Sequence, residues 1–76
     1  MEIRVLQYFM AVARHENITK AAEELHLTQP TLSRQLSDLE DELGAQLLVR
    51  GKRKTQLTEA GLIFKTRAQE ILSLTE

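Results

Sequence analysis

The one proline of the chain, Pro30, stands directly in front of a run of leucines, Leu32, Leu36, Leu39 and Leu43, spaced i, i+4, i+7 and i+11. That spacing predicts a helix with a single apolar stripe. In a helix interior a proline removes a hydrogen bond and crowds the preceding turn, at a cost of about 3 kcal/mol. In the first turn it costs nothing, because the amides there are unpaired anyway. The stretch HLTQPTLSRQLSDLE therefore predicts a helix over 29–43, capped by Thr28 and closed at Gly44. Whatever precedes Thr28 must be a separate element, joined to this helix by a tight corner.

The flanks supply those elements. Ile3, Leu6, Phe9, Met10 and Ala13, with Val5 and Val12 widening the stripe, predict an amphipathic first helix ending near His15 and Glu16. Thr19 is expected as the N-cap of a short helix from Lys20 to Leu25, whose adjacent Ala21 and Ala22 let another helix approach closely. The corner runs from Leu25 to Thr28, with His26 expected as a left-handed C-cap. Further on, QLLVR (46–50) and TQL (55–57) flank GKRK (51–54), which reads as a hairpin with a basic tip. Thr58 and Glu59 then open a last helix in which Ala60, Ile63, Phe64, Ala68, Ile71 and Leu72 continue the apolar pattern, while Leu62 and Leu74 lie off that face. A helix apolar on more than one side has more than one partner, and the lack of a stop signal before Glu76 points to a longer protein.

The chain has 76 residues, enough for one core, and no cysteine, which removes disulfides, thiolate metal sites and cysteine nucleophiles and suits a reducing cytoplasm. The N-terminus MEIRVLQYFM mixes Glu2, Arg4 and Gln7 with apolar residues, so it reads as neither a signal peptide nor a membrane span. His15 and His26 lack a ligand-spaced partner on their helix faces, so no metal is expected. Ser33 has no expected base beside it, there is no glycine-rich phosphate loop, and an enzyme is not expected.

A net charge of −1 argues mildly against a nucleic-acid partner, but its distribution argues the other way. Residues 29–44 sum to −3, with the acids Asp38, Glu40, Asp41 and Glu42 all behind Arg34, whereas residues 45–57 carry +4 and no acid. Helix, short helix, corner, helix and basic hairpin is the order of a winged helix-turn-helix, in which the helix after the corner enters the major groove by its front end. The expected fold is mainly α: three helices plus a two-stranded wing over 1–57, followed by a linker helix over 58–76.

On that reading Arg34 suits a guanine edge or a phosphate, Gln29 an adenine or a phosphate, and Pro30 and Thr31 a thymine methyl. Ser33 and Ser37 can donate to phosphates, with Thr28 at the cap beside them. Arg50, Lys52, Arg53 and Lys54 form the wing, on the backbone or in a minor groove. Each residue of the helix front alone would equally suit a solvated surface, and the wing could be an edge-blunting loop, but its position after the helix-turn-helix favours DNA contact, and so does the conjunction of the two. The rival is a helical protein-interaction or dimerisation module without DNA binding, which has no need of an acid-free segment 45–57.

The run ITKAAEELHLTQPTLSRQLSDLEDELGAQLLVR, followed by LTEAG, resembles the N-terminal DNA-binding domain of LysR-type transcriptional regulators. Ala21-Ala22, Gln29-Pro30, Ser33, Leu39-Glu40, Gly44, Arg50 and the run Leu57 to Gly61 carry the resemblance. It departs at Glu16 and Asn17, where the family often has glycine and serine, and at Leu48, often phenylalanine. The resemblance implies a bacterial, cytoplasmic regulator of transcription that binds double-stranded DNA as a homodimer through the linker helix, for which Leu62, Ile63, Ile71 and Leu74 are the candidate contacts. It also implies no cofactor in this segment, and a small-molecule effector bound by a C-terminal domain beyond it.

Overall fold

Among residues 1–75, which the computed structural model describes, the chain forms α1 (Ile3–His15), α2 (Ile18–Leu25), α3 (Gln29–Leu43), β1 (Leu48–Arg50), β2 (Thr55–Leu57) and α4 (Glu59–Leu74). This is the mainly helical winged helix-turn-helix expected, with a further helix after the wing.

Each of the first three helices ends on a residue in the left-handed region: Glu16 (φ 54°), His26 (φ 58°) and Gly44 (φ 67°). At His26 the backbone N–H donates to Glu23 O at 3.2 Å and that of Leu27 to Ala22 O at 2.9 Å, which closes the corner between α2 and α3. Thr28 caps α3 as expected, with Pro30 in the first turn. The cap of α2 is a correction: Asn17, not Thr19, accepts the Lys20 N–H, at 2.8 Å on its side-chain oxygen. Asparagine caps as well as threonine, and starting at Ile18 puts that side chain, 6 % exposed, into the core.

The core joins Phe9 and Val12 of α1, Ala21 and Ala22 of α2 and Leu32, Leu36 and Leu39 of α3 to Leu47 and Leu48. Not every expected core position belongs to it. Ile3 is exposed in the first turn of α1, and Leu43 is 38 % exposed, because the leucine stripe of α3 runs past the layer of α1 and α2 that covers its first three members. In α4 the buried side is Gly61 and Ala68, with Phe64 and Leu72 half-buried, so Ile63 and Ile71 do not belong to it as their spacing suggested.

The wing is a two-stranded antiparallel ladder pairing Leu48 with Leu57, Val49 with Gln56 and Arg50 with Thr55. Its first strand begins two residues later than expected: Gln46 and Leu47 are held by side chains and by the start of α4, not by the ladder. The Thr55 N–H donates to Glu16 O at 2.9 Å and ties the wing to the turn between α1 and α2. At Gly61 a Cβ would overlap the Leu47 carbonyl oxygen, so glycine lets α4 start directly against the base of the wing. No helix among the described residues is long and apolar enough to cross a membrane.

Candidate nucleic-acid interface

The front of α3 is built to present side chains outward. Its apolar stripe faces α1 and α2, so Gln29, Ser33 and Ser37 fall on another face at successive turns, with Pro30 and Arg34 beside them. These five residues line one side of an open groove, and Gln46, Leu48 and Arg50 at the first strand of the wing line the other. A second groove adjoins it around the wing tip, bordered by Lys52, Arg53 and Lys54 and by the start of α2 at Asn17 and Thr19. Gln29 and Arg50 border both grooves, so the two are continuous.

Most of the expected site residues therefore come together, whereas Thr28 and Thr31 do not line the grooves and are bonded to each other. The Thr28 hydroxyl donates to Thr31 Oγ1 at 2.8 Å and accepts the Thr31 N–H at 3.4 Å. This pairing uses the Thr28 hydroxyl as both donor and acceptor and holds the helix start in shape. Arg34, Arg50, Lys52 and Arg53 are exposed, and among the described residues none of them enters an ion pair. Lys54 is different, its Nζ lying 3.4 Å from Glu16 Oε2.

Several residues that border the grooves are not legible as site residues in the sequence, among them Asn17, Thr19 and Glu40. Thr19 reads there as a cap and Asn17 as a departure from the family pattern, although the start of α2 lies against the wing tip. Glu40 reads in the sequence only as one of the acids behind Arg34, yet it lines the first groove, and its Oε2 accepts the N–H groups of Leu47 at 2.7 Å and Leu48 at 3.1 Å. No local pattern signals that role, because the acceptor and its donors are seven and eight residues apart and meet only after the chain turns back.

The dimensions suit a duplex. A helix with side chains is about 10–12 Å across and the major groove of B-form DNA about 12 Å wide, so the free front of α3 can enter while the wing lies over the flanking backbone. The charges agree: the cations of α3 and the wing border the grooves, whereas Asp38 and Glu42 flank a separate cleft near Met1, where Glu42 Oε2 lies 3.0 Å from the terminal nitrogen.

On α4, Ile63, Ile71 and Leu74 are 60, 40 and 87 % exposed and share one side of the helix. Leu62, 57 % exposed, is turned about 100° from Ile63 at the helical pitch and borders a shallow cleft with Ala13 and Thr55.

Residues 3–62 match the family described as bacterial regulatory helix-turn-helix protein, lysR family. Among curated relatives, the chain is 54 % identical over 76 residues to the Hca operon transcriptional activator HcaR of Escherichia coli (strain K12), covering all of this chain and 26 % of that protein. It is 53 % identical over 73 residues to the HTH-type transcriptional regulator BsdA of Bacillus subtilis (strain 168), covering 95 % of this chain and 25 % of the relative. The chain thus spans about a quarter of the length of the curated relatives it matches. Among solved structures, the CbnR DBD–DNA complex superposes with a TM-score of 0.94 at 47 % identity, over 99 % of this chain and 86 % of that one. The complex of the BenM DBD with catB site 1 DNA does so with a TM-score of 0.94 at 48 % identity, over 99 % and 84 %.

Proposed function

Because the chain belongs to the LysR family of bacterial regulatory helix-turn-helix proteins, we propose that it is the sequence-specific DNA-binding part of a transcriptional regulator, with α3 in the major groove and the wing on the flanking backbone or minor groove. The observation that carries this is the continuous pair of grooves in which the front of α3 and the cations of the wing meet at Gln29 and Arg50. Arg34, Gln29, Pro30 and Ser33 are the base-proximal residues. Ser37, Arg50, Lys52, Arg53 and Lys54 neutralise or bond phosphates, and Thr28 and Thr31 hold the helix start. The partner is double-stranded DNA in a bacterial cytoplasm.

In the same proposal α4 acts as a linker helix, the end of the expected span 58–76 lying outside the described residues at Glu76, and Ile63, Ile71 and Leu74, with Leu62 on their flank, are covered by a second copy so that two recognition helices face half-sites about one helical turn or a multiple apart. No cofactor is assigned to residues 1–76, and a small-molecule effector would act on the remainder of the regulator.

The experiment is selection of a preferred duplex from a random pool, followed by titration of wild type and Arg34→Ala on that duplex and a scrambled one. If Arg34 reads a guanine, its loss costs about 1–3 kcal/mol on the preferred duplex and relaxes discrimination at one base pair. Equal loss on both duplexes makes Arg34 a phosphate clamp. A wild-type chain with no affinity for either duplex removes the DNA-binding reading.

A further inference from the structure

Glu40 is the one acid among the described residues lining the groove between α3 and β1, with Arg34 on its own helix and Arg50 on the strand side. A carboxylate there repels an incoming phosphate, so its presence needs a compensating role. It lies seven residues after Ser33 and three after Ser37, on the same side of α3 as the side chains that border the groove. Its Oε2 accepts two backbone N–H groups, from Leu47 and Leu48, at 2.7 and 3.1 Å. The same short segment is held from its other side by α4. The Thr58 N–H donates to Leu47 O at 2.9 Å, the Thr58 hydroxyl donates to Gln46 O at 2.6 Å, and the close approach at Gly61 seats the Leu47 carbonyl. The Gln46 side chain donates to Leu48 O at 3.0 Å and completes the fixation.

We infer that Glu40 is a positioning residue for recognition, which fixes the base of the wing against α3 so that Arg34 and Arg50 meet one duplex in a set spacing. At an extended rise of about 3.3 Å per residue, Arg50 lies roughly 7 Å beyond Leu48, and a change in strand direction at Leu48 is carried into the whole wing. Glu40 acts through the backbone of Leu47 and Leu48 and needs no contact with DNA. The inference rests on the DNA-binding reading and adds a specificity role to a residue that itself contacts no base.

The test compares Glu40→Ala, Glu40→Gln and, as a core variant remote from the groove, Val12→Ala. Each is titrated with the duplex that the wild-type chain selects from a random pool and with a scrambled duplex of equal length, and amide spectra are recorded on the free proteins. Loss of the charged hydrogen bonds in Glu40→Ala is expected to narrow the preference for the selected duplex about tenfold and to displace the amide resonances of Leu47, Leu48 and the wing. Glu40→Gln keeps a carbonyl oxygen for the two amides and is expected to retain the preference within about threefold. Val12→Ala lowers stability and leaves the preference unchanged.

A wild-type preference or an unmoved wing spectrum in Glu40→Ala overturns the inference, as does a Glu40→Gln variant that fails as the alanine does. Failure of the wild-type chain to prefer any duplex overturns it together with the DNA-binding reading, an outcome distinguished by needing no variant.

Discussion

Phe9 and Phe64 meet edge to face, their ring centroids 5.0 Å apart and their planes at 85°. Phe9 is fully buried in α1 and Phe64 half-buried in α4, so the contact fastens the last helix to the first across the middle of the molecule. Phe64→Ala removes the aromatic pair and part of the burial and is expected to destabilise the fold by about 2–4 kcal/mol. Phe64→Leu should recover more than half of that loss. Urea unfolding of the two variants checks it, and an alanine variant as stable as wild type would mean that α4 is not docked on α1.

His26 sits at φ 58° and ψ 40° with its side chain exposed, so it contributes little packing to offset its backbone conformation. His26→Gly is expected to be neutral or stabilising, and His26→Val to cost about 1 kcal/mol or more, because a β-branched side chain resists the left-handed region. Glu16 shares that conformation (φ 54°), but its carboxylate lies beside Lys54, so Glu16→Gly gives up an exposed ion pair worth at most about 1 kcal/mol. Thermal unfolding of the three variants separates the two corners.

The Glu24 carboxylate is held below its ordinary pKa of 4.5, first by a hydrogen bond from Arg14 and then by one from His15. The Arg14 guanidinium lies 2.6 Å from Oε1 and His15 Nε2 2.7 Å from the same oxygen. A depressed carboxylate contributes stability that is fully present above its unfolded value and lost as pH falls through the folded one. The difference in denaturation midpoint between wild type and Glu24→Gln should therefore shrink as the solution is acidified below the ordinary carboxylate range. Added salt should reduce it throughout, since all three side chains are at the surface. A difference that grows on acidification would show that the contact is not formed in solution.

Within the wing, Lys52 and Arg53 are exposed, whereas Lys54 is shared with Glu16. Replacing Lys52 or Arg53 by alanine should flatten the dependence of DNA affinity on salt by about 0.9 in log–log slope for each phosphate that is no longer neutralised. Lys54→Ala should flatten it less. Salt titration on a scrambled duplex isolates this effect from base reading, and unchanged slopes for all three variants would place the wing off the backbone.

How far the sequence could be read depended on the range of the interactions involved. The corner at His26, the caps at Thr28, Gly44 and Thr58 and the turn of the hairpin were legible because each is decided by a few adjacent residues. Burial was less so: Ile63 has the spacing of a core residue yet is exposed, because which side of α4 is covered depends on α1, some fifty residues away. In the candidate site, the reading face of α3 followed from its periodicity, but the hold of Glu40 on Leu47 and Leu48 did not. Asn17 and Thr19 are both good caps, and only the burial of Ile18 decides between them.

Helix α3 carries no acid in its first turn and no base in its last, the reverse of what its own backbone dipole favours at the rear end. Asp41 and Glu42 add to the partial negative charge of the exposed carbonyls there, at a cost of up to about 1 kcal/mol each, although the chain amino group beside Glu42 offsets part of it. The return is an electric moment along the helix, positive at the end that Gln29 begins. A molecule of near-zero net charge feels little long-range pull toward a polyanion, but such a moment exerts a torque on approach, turning the front of α3 toward the duplex before contact. Collisions are then sorted by orientation more than by frequency.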